Sequence, residues 1–271
     1  MSASESSPSY VHGHAEPVLR SHRSRTAANS AAYLVPLLRP GQRLLDVGCG
    51  PGTITADLAT IVGPSGVTAV DSAAEVVEQA RVTLAEAGAG DVEVRVGDLY
   101  ALDLPDGSFD VVHAHQVLQH LPDPVAGLVS MRRLCTPGGV VAARDADYAA
   151  FTWFPADPLL DRWLALYRQL ARAAGGEPDA GRRLLHWARQ AGFAQVTASA
   201  SVWCYADEES RAWWGGVWAD RIVNSSIAQQ ALATGAADQD ELQAIRQAWQ
   251  RWSVAPDGWF AVPHGEILCT A

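Results

Sequence analysis

The chain has 271 residues, of which 48% are hydrophobic, and its formal net charge at pH 7 is −10. This length allows one elaborated domain, or a core domain with a smaller companion, and the acidic balance makes nucleic acid and anionic membranes poor partners. Because no apolar run approaches the ~20 residues of a membrane span and the first residues do not follow the pattern of a signal peptide, we expect a cytoplasmic protein.

The four cysteines are far apart in the sequence, and no two stand at the short spacing of a zinc site or a redox pair. They are Cys49, Cys135, Cys204 and Cys269. We therefore expect four free thiols, with neither a metal site nor a disulfide.

Residues 1–40 are predicted to form an N-terminal tail followed by a lid helix. The first 16 residues carry Ser, Pro, Gly and His without periodicity, which is typical of a tail that becomes ordered over a site. In the helix that follows, Ala28, Ala31 and Val35 recur at spacings of three and four. Pro36 and the Pro-Gly pair after it are expected to end this helix.

Residues 41–147 alternate short apolar runs with amphipathic stretches, a rhythm that predicts a parallel sheet covered by helices on both faces. The predicted strands are Arg43–Val47, Val67–Asp71, Val92–Gly97, Phe109–Ala114 and Gly139–Arg144, and the predicted helices lie near residues 53–62, 73–87 and 124–135. In such sheets ligands bind beyond the carboxyl ends of the strands. The residues that follow each strand are therefore the first candidates for a site.

Residues 148–271 differ in composition, because all ten tryptophans lie here. Patterning predicts helices at Leu159–Ala174 and Gly181–Ala191, a strand at Ala194–Tyr205, and a final strand over residues 258–271 that Pro263 interrupts. Between these strands, about residues 207–257, we predict a helical insertion of two or three helices. Trp214, Trp218 and Ile222 share one helical face there.

The stretch LLDVGCGPGT, Leu44–Thr53, runs from a predicted strand into three alternating glycines. It lacks the lysine of a phosphate-binding P-loop, and position 53 is threonine where a dinucleotide fingerprint would have its third glycine. A tight strand-to-helix turn without a ligand is the simplest alternative.

Three acids surround this loop, each at the end of a successive strand: Asp46, Asp71 and Asp98. Glycines let a backbone approach a ligand closely, Asp71 can accept the hydroxyls of a ribose, and Asp98 can accept an adenine amine. The pattern favours a ligand with a ribose, an adenine and a positive charge, but without a phosphate.

Taken in order, LLDVGCGPGT, VTAVDSA, VGDLYALDLPDGSFDVV and LCTPGGV resemble the motifs of class I S-adenosylmethionine-dependent methyltransferases, in the branch similar to the ubiquinone and menaquinone biosynthesis enzymes. The resemblance implies an α/β, Rossmann-like fold: a seven-stranded, mostly parallel sheet with its last strand antiparallel, helices on both faces, and a helical insertion or lid. It makes residues 41–147 the cofactor-binding core. The residues it implies for S-adenosylmethionine are Asp46, Gly48, Cys49, Gly50, Asp71, Ser72, Gly97, Asp98, Leu99, His115 and Gln116, with Val117 beside them.

The resemblance also extends to HLPD, which is similar to the His-Met-Pro-Asp segment of small-molecule methyltransferases in which the histidine faces the substrate. We therefore interpret His120 as the general base and Asp145, at the exit of the fifth strand, as the group that orients it. A histidine bonded to a nearby carbonyl and an acid that caps a turn are the structural alternatives. The N-terminal segment offers further candidates, namely Tyr10, His12, His14, His22 and Tyr33, of which His14 is an alternative base.

The expected function is in-line transfer of a methyl group to an O, N or C atom of a small-molecule metabolite. Trp153, Trp213, Trp214 and Trp218 suggest an apolar or aromatic substrate, although core packing explains most of the tryptophans equally well. The alternatives are an NAD(P)-dependent oxidoreductase with an atypical glycine loop and a cofactor-binding protein without catalysis. The sequence leaves both a monomer and a homo-oligomer open.

Overall fold

The structure is a computed structural model that describes residues 24–271. Within them the chain forms two compact units. The core unit contains the described residues as far as Asp147, together with Asp179–Ser201 and Pro263–Ala271. The tryptophan unit contains Tyr148–Pro178 and Val202–Val262. None of the helices in the described part of the chain is long and apolar enough to cross a membrane.

Parallel strands form the centre of the core unit. They are β1 (Leu44–Val47), β2 (Val67–Asp71), β3 (Glu93–Val96), β4 (Phe109–His115) and β5 (Cys135–Ala146). Their order is β3-β2-β1-β4-β5, and β8 (Trp259–Thr270) continues the sheet antiparallel to β5. Strand β7 (Val196–Tyr205) pairs with β8. The predicted parallel sheet with an antiparallel last strand is therefore confirmed.

The helices of the core unit cover two apolar layers. They are α1 (Ala27–Ser30), α2 (Thr53–Val62), α3 (Ala74–Glu86), α4 (Pro124–Leu134) and α6 (Leu184–Gln190). Neighbouring residues on a strand point to opposite faces, and Val111 and Val112 of β4 accordingly belong to different buried clusters. Both faces of the sheet are thus covered, as the apolar strand sequences require.

The tryptophan unit is built from four helices and a short strand. They are β6 (Thr152–Phe154), α5 (Pro158–Ala173), α7 (Glu208–Asn224), α8 (Ser226–Thr234) and α9 (Gln239–Ser253). Strand β6 pairs with Trp259–Ala261 at the start of β8. It raises the strand count to eight where seven were expected; such a three-residue segment is too short to show a sequence period.

Indole rings fill the core of the tryptophan unit. Trp163, Trp218 and Trp249 are fully buried, and Trp163 meets Trp218 edge-on with 4.5 Å between ring centroids. Trp214 is also buried, whereas Trp153 and Trp213 are half-buried. Core packing therefore explains Trp214 and Trp218, and these two side chains supply no argument for an aromatic substrate.

The continuous helix predicted before Pro36 is not formed within the described residues, where α1 and a 3-10 turn at Val35–Leu37 precede β1. A capping box between Thr26 and Asn29 starts α1 at Ala27, and the helix ends at Ser30, since Ala31 has a non-helical φ of −135°. The remainder of the predicted tail and helix, residues 1–23, lies outside the described part of the chain.

The approach of Gly265 to Gly181 yields a stability prediction. A Cβ atom on Gly265 of β8 would overlap the carbonyl group of Gly181, and both partners are backbone. We expect Gly265→Ala to lower the free energy of unfolding by about 2 kcal/mol or more in urea titrations, because neither backbone can yield. Gly90→Ala is the matched control, since its Cβ would meet nothing within 4 Å. Equal effects of the two variants would contradict this packing.

Candidate active site

The glycine loop between β1 and α2 needs glycine for its backbone shape. Gly48, Gly50 and Gly52 have φ values of 65°, 55° and 83°, in the left-handed region that other residues rarely adopt. A side chain on Gly48 would also overlap Val117. Helix α2 starts at Thr53, the position at which a dinucleotide fingerprint would have its third glycine.

Asp46 lies beneath this loop and is almost fully buried. One carboxylate oxygen is 2.8 Å from Nδ1 of His113 on β4, and the other accepts a 2.5 Å hydrogen bond from the Thr55 hydroxyl on α2. Both oxygens thus bind protein groups. The carboxylate links β1, β4 and α2 at the point where the loop begins. The loop backbone is then the part that could face a ligand.

Asp71, at the end of β2, is bonded directly to the glycine loop. Its carboxylate accepts hydrogen bonds from the backbone N–H groups of Gly50 at 3.0 Å and Ala73 at 3.1 Å. The Gly97 N–H donates to the Asp71 carbonyl at 2.9 Å, which brings the end of β3 to the same place. The structure therefore joins the sequence-predicted positions Gly50, Asp71 and Gly97, and the predicted Ser72 follows Asp71 directly.

Asp98 begins a 3-10 turn, Leu99–Ala101, and is exposed. Its side chain accepts from the Tyr100 N–H at 3.0 Å. The Tyr100 hydroxyl donates to the Asp123 carbonyl at 2.9 Å, which holds this turn against the start of α4. Leu99 is buried below it. Asp98 and Leu99 are thus held in place beside the end of β3, where they offer an acidic and an apolar group.

Gln116, just beyond β4, has a φ of 54° and is held by several hydrogen bonds. Its N–H donates to the Arg144 carbonyl at 2.7 Å and its side-chain oxygen accepts from Arg25 at 2.6 Å. Its amide nitrogen lies 2.9 Å from Nε2 of His264. The neighbouring His115 is buried, and burial, followed by the charge of Arg25, lowers its pKa well below the usual value. The His115 ring is therefore neutral at physiological pH.

His120 and Asp145 lie at one turn, but their side chains are linked through Gln119. The fully buried Asp145 carboxylate accepts the Gln119 N–H at 3.1 Å. The Gln119 amide nitrogen lies 2.9 Å from Nε2 of His120. The expected direct pairing of Asp145 with the imidazole is thus replaced by a bond to the backbone, because the 3-10 turn Leu118–His120 presents its N–H groups to the strand end.

The titration behaviour of this pair also differs from that expected of a base and its partner. Burial and the charge of Arg25 lower the pKa of His120 to about 3. Burial raises the pKa of Asp145 to about 7, against the opposing effect of its backbone hydrogen bonds. His120 is consequently a weak proton acceptor at neutral pH.

Comparison with known proteins identifies the family. A family model described as a methyltransferase domain matches residues 38–192. An uncharacterized methyltransferase of Schizosaccharomyces pombe is 34% identical over 267 residues, covering 96% of this chain and 95% of the relative. The chain belongs to the methyltransferase family. The resemblance to class I S-adenosylmethionine-dependent methyltransferases is confirmed, and with it the enzyme class and cofactor.

Two solved structures show the methyltransferase fold. A Bacillus halodurans protein described as a methyltransferase has a TM-score of 0.54 and 18% identity, over 88% of this chain and 96% of its own. Phosphoethanolamine N-methyltransferase 2 of Haemonchus contortus, in complex with phosphomonomethylethanolamine and S-adenosylhomocysteine, has a TM-score of 0.51 and 17% identity, over 84% of this chain and 49% of its own. At these identities the likeness concerns the fold alone.

A buried ion pair in this methyltransferase was not predicted from the sequence. Arg144 on β5 and Glu266 on β8 are almost fully buried, with 3.3 Å between Nε and Oε1. The hydroxyls of Ser199 and Ser201 donate to the two Glu266 oxygens at 2.7 and 2.5 Å. No motif identifies these residues. However, polar side chains recur at every second position in parts of β7 and β8, and this alternation is visible in the sequence.

Arg25 was also missed, and the N-terminal candidates have mixed outcomes. Arg25 lies within a basic stretch that carries no motif, so nothing distinguished it from its neighbours. Tyr33 lies in the core unit, where its hydroxyl has no hydrogen-bond partner among the described residues. Burial and then Glu266 raise its pKa well above the usual value. The other candidates, Tyr10, His12, His14 and His22, lie outside the described residues.

The raised pKa of Asp145 predicts a pH-dependent stability. The unfolded carboxyl loses its proton near pH 3.8, whereas the folded one retains it to about pH 7. The contribution of the neutral carboxyl is therefore complete below pH 3.8 and is lost as the pH rises to 7. We expect the unfolding free energy of the native protein, relative to Asp145→Asn, to fall by about 3 kcal/mol between pH 4.5 and 8.

Urea titrations at several pH values measure this difference, and other titrating groups cancel between the two proteins. Asp91→Asn is the control, because Asp91 is exposed. A difference between the native protein and Asp145→Asn that does not change with pH would show that Asp145 titrates like an exposed acid.

Proposed function

We propose that this methyltransferase transfers the methyl group of S-adenosylmethionine to a small-molecule metabolite in the cytoplasm. The observation that carries the proposal is the contact of the glycine loop with Asp71, in which the Gly50 N–H fixes a carboxylate at the end of β2. A fixed acid beside a closely approaching backbone suits a ribose, and the loop has no lysine for a phosphate.

The cofactor would lie along the ends of β1 to β4. Asp71 would accept the ribose hydroxyls, Asp98 and Leu99 would border the adenine, and Arg25 is the cation suited to the methionine carboxylate. The full set of proposed cofactor residues is Asp46, Gly48, Cys49, Gly50, Asp71, Ser72, Gly97, Asp98, Leu99, His115 and Gln116. Of these, Asp46 contributes by holding the loop.

The environment of Cys49 supports a site for a reactive sulfonium. The Cys49 thiol lies within the loop, and burial, followed by the charges of Asp46 and Asp71, raises its pKa well above the usual value. A thiolate at this position would compete for the methyl group, because the thiolate is the nucleophilic form. Burial, together with the two acids that suit a cationic cofactor, therefore keeps this cysteine in its unreactive thiol form.

The bound cofactor supplies an electrophilic methyl group whose bond to sulfur breaks with its electron pair left on sulfur. The chain contributes position, since alignment of the acceptor with that bond accounts for much of the rate. We propose His120 and Asp145 as the residues on the acceptor side, with Asp145 acting through Gln119. The acceptor atom, whether O, N or C, follows from the metabolite, and a proton-bearing acceptor releases its proton to solvent water.

Cofactor choice is tested by calorimetry with S-adenosylmethionine and with NAD. We expect binding of S-adenosylmethionine alone, and a rise in its dissociation constant of about tenfold or more in Asp71→Ala, because the ribose loses a charged acceptor. Asp91→Ala serves as the control with an exposed acid. Binding of NAD in preference to S-adenosylmethionine would overturn the proposed function.

The acceptor-side assignment is tested with His120→Ala and a panel of metabolites supplied with labelled cofactor. We expect turnover to fall by about tenfold or more while cofactor affinity stays unchanged, because His120 would contact the acceptor and not the cofactor. His186→Ala, an exposed histidine on α6, is the matched control. Full turnover in His120→Ala would remove this residue from the site.

A further inference from the structure

Gln119 is a residue that neither a motif nor the family match distinguishes, yet it connects the two proposed catalytic positions. Its side chain is 3% exposed, and it lies between the fully buried Asp145 and the half-buried His120. Asp145 holds its backbone N–H at 3.1 Å, and its own amide holds the imidazole at 2.9 Å. Gln119 is thus held through its backbone by Asp145, and its side chain contacts the His120 ring through the amide nitrogen.

The atoms in contact favour one position for the hydrogen of the ring. The Gln119 atom nearest to His120 is the amide nitrogen, which donates hydrogen bonds and accepts none. This contact fits an accepting Nε2, and a neutral imidazole with an accepting Nε2 carries its hydrogen on Nδ1. In this arrangement the lone pair of Nε2 is engaged and Nδ1 is a donor.

We propose that Gln119 is a positioning residue that holds His120 as the Nδ1–H tautomer, so that the histidine orients the methyl acceptor as a hydrogen-bond donor and does not remove its proton. The inference rests on the proposed methyl transfer, whose acceptor-side group it redefines. The charge of Arg25 acts in the same direction, because a nearby guanidinium disfavours a protonated ring.

The position of Asp145 fixes the backbone of Gln119. Asp145 lies opposite Gly265 in the register of β5 and β8. Its carboxyl group accepts hydrogen bonds from the backbone of the turn Leu118–His120, among them the Gln119 N–H. With its backbone held there, Gln119 reaches the adjacent His120 ring through its side-chain torsions.

The tautomer is measured by NMR on the full chain labelled with 15N-histidine, with and without S-adenosylhomocysteine, using His120→Asn to assign the ring signals. We expect the His120 hydrogen on Nδ1 in the native protein. Gln119→Met, which has a similar length but no hydrogen-bonding group, should give a mixture of tautomers. Gln119→Glu, which offers only acceptor oxygens, should move the hydrogen to Nε2.

Gln79→Met on α3 is the matched control and should leave the His120 signals unchanged. Once an acceptor is identified, Gln119→Glu should reduce kcat by about tenfold or more without changing the dissociation constant of the cofactor. A native His120 with its hydrogen on Nε2, or a tautomer unchanged in both Gln119 variants, would overturn the inference. The native spectrum decides the first point even if a variant fails to fold.

These outcomes are separable from those of the proposed function. Failure to bind S-adenosylmethionine would reject the proposed function whatever the tautomer. Normal cofactor binding together with an Nε2–H tautomer would leave methyl transfer in place and reject only the role of Gln119.

Discussion

The buried carboxylate of Asp46 is the contact on which the site depends. It accepts hydrogen bonds from His113 on β4 and Thr55 on α2, and the glycine loop lies between these attachments. Without this carboxylate, each donor would lose its acceptor inside the core, at a cost of about 1–3 kcal/mol for each unsatisfied group. The same contact sets the path of the loop, which brings the Gly50 N–H to Asp71. The hydrogen bonds of Asp46 therefore stabilise the core and also fix the glycine loop at this edge of the sheet.

Burial controls the charge of the groups around this loop. The rings of His115 and His120 are neutral because burial and Arg25 disfavour their protonated forms, and the Cys49 thiol keeps its hydrogen. A protonated histidine here would repel a sulfonium, and a thiolate would react with it. The acids at the ends of β2 and β3, Asp71 and Asp98, are half-exposed and exposed, respectively. Burial therefore disfavours the charged forms of the two histidines and the thiol, while the acids remain accessible at the same edge of the sheet.

The sequence was sufficient to predict those parts of the site that follow from alternation of strands and helices. Asp46, Asp71 and Asp98 each follow an apolar run, and the ends of parallel strands necessarily meet at one edge. The extent of the N-terminal helix could not be predicted correctly, because its periodicity continues beyond Ser30, whereas Ala31 leaves the helical conformation. Tryptophans at helical spacing predicted a buried face, but a sequence does not distinguish a core from a pocket wall.

The contacts of Arg25 and Gln119 could not be predicted, since both depend on how irregular turns place side chains from distant segments. Arg25 reaches Gln116 across 91 positions, and Asp145 reaches the backbone of Gln119 across 26. Neither contact follows from a period or a motif. Spacing patterns describe regular elements, whereas residues in turns acquire their partners only when the sheet is assembled.

The turn after β4 shows how the shared fold acquires an individual site. Gln116 adopts a left-handed conformation that costs a residue with a side chain on the order of 1 kcal/mol. Hydrogen bonds to Arg144, Arg25 and His264 offset this cost, and they fix the direction in which the chain enters the Leu118–His120 turn. A fold that hosts many reactions leaves its specificity to such local features. Because the strained residue precedes His120 by one short turn, the network that holds Gln116 also determines where His120 lies.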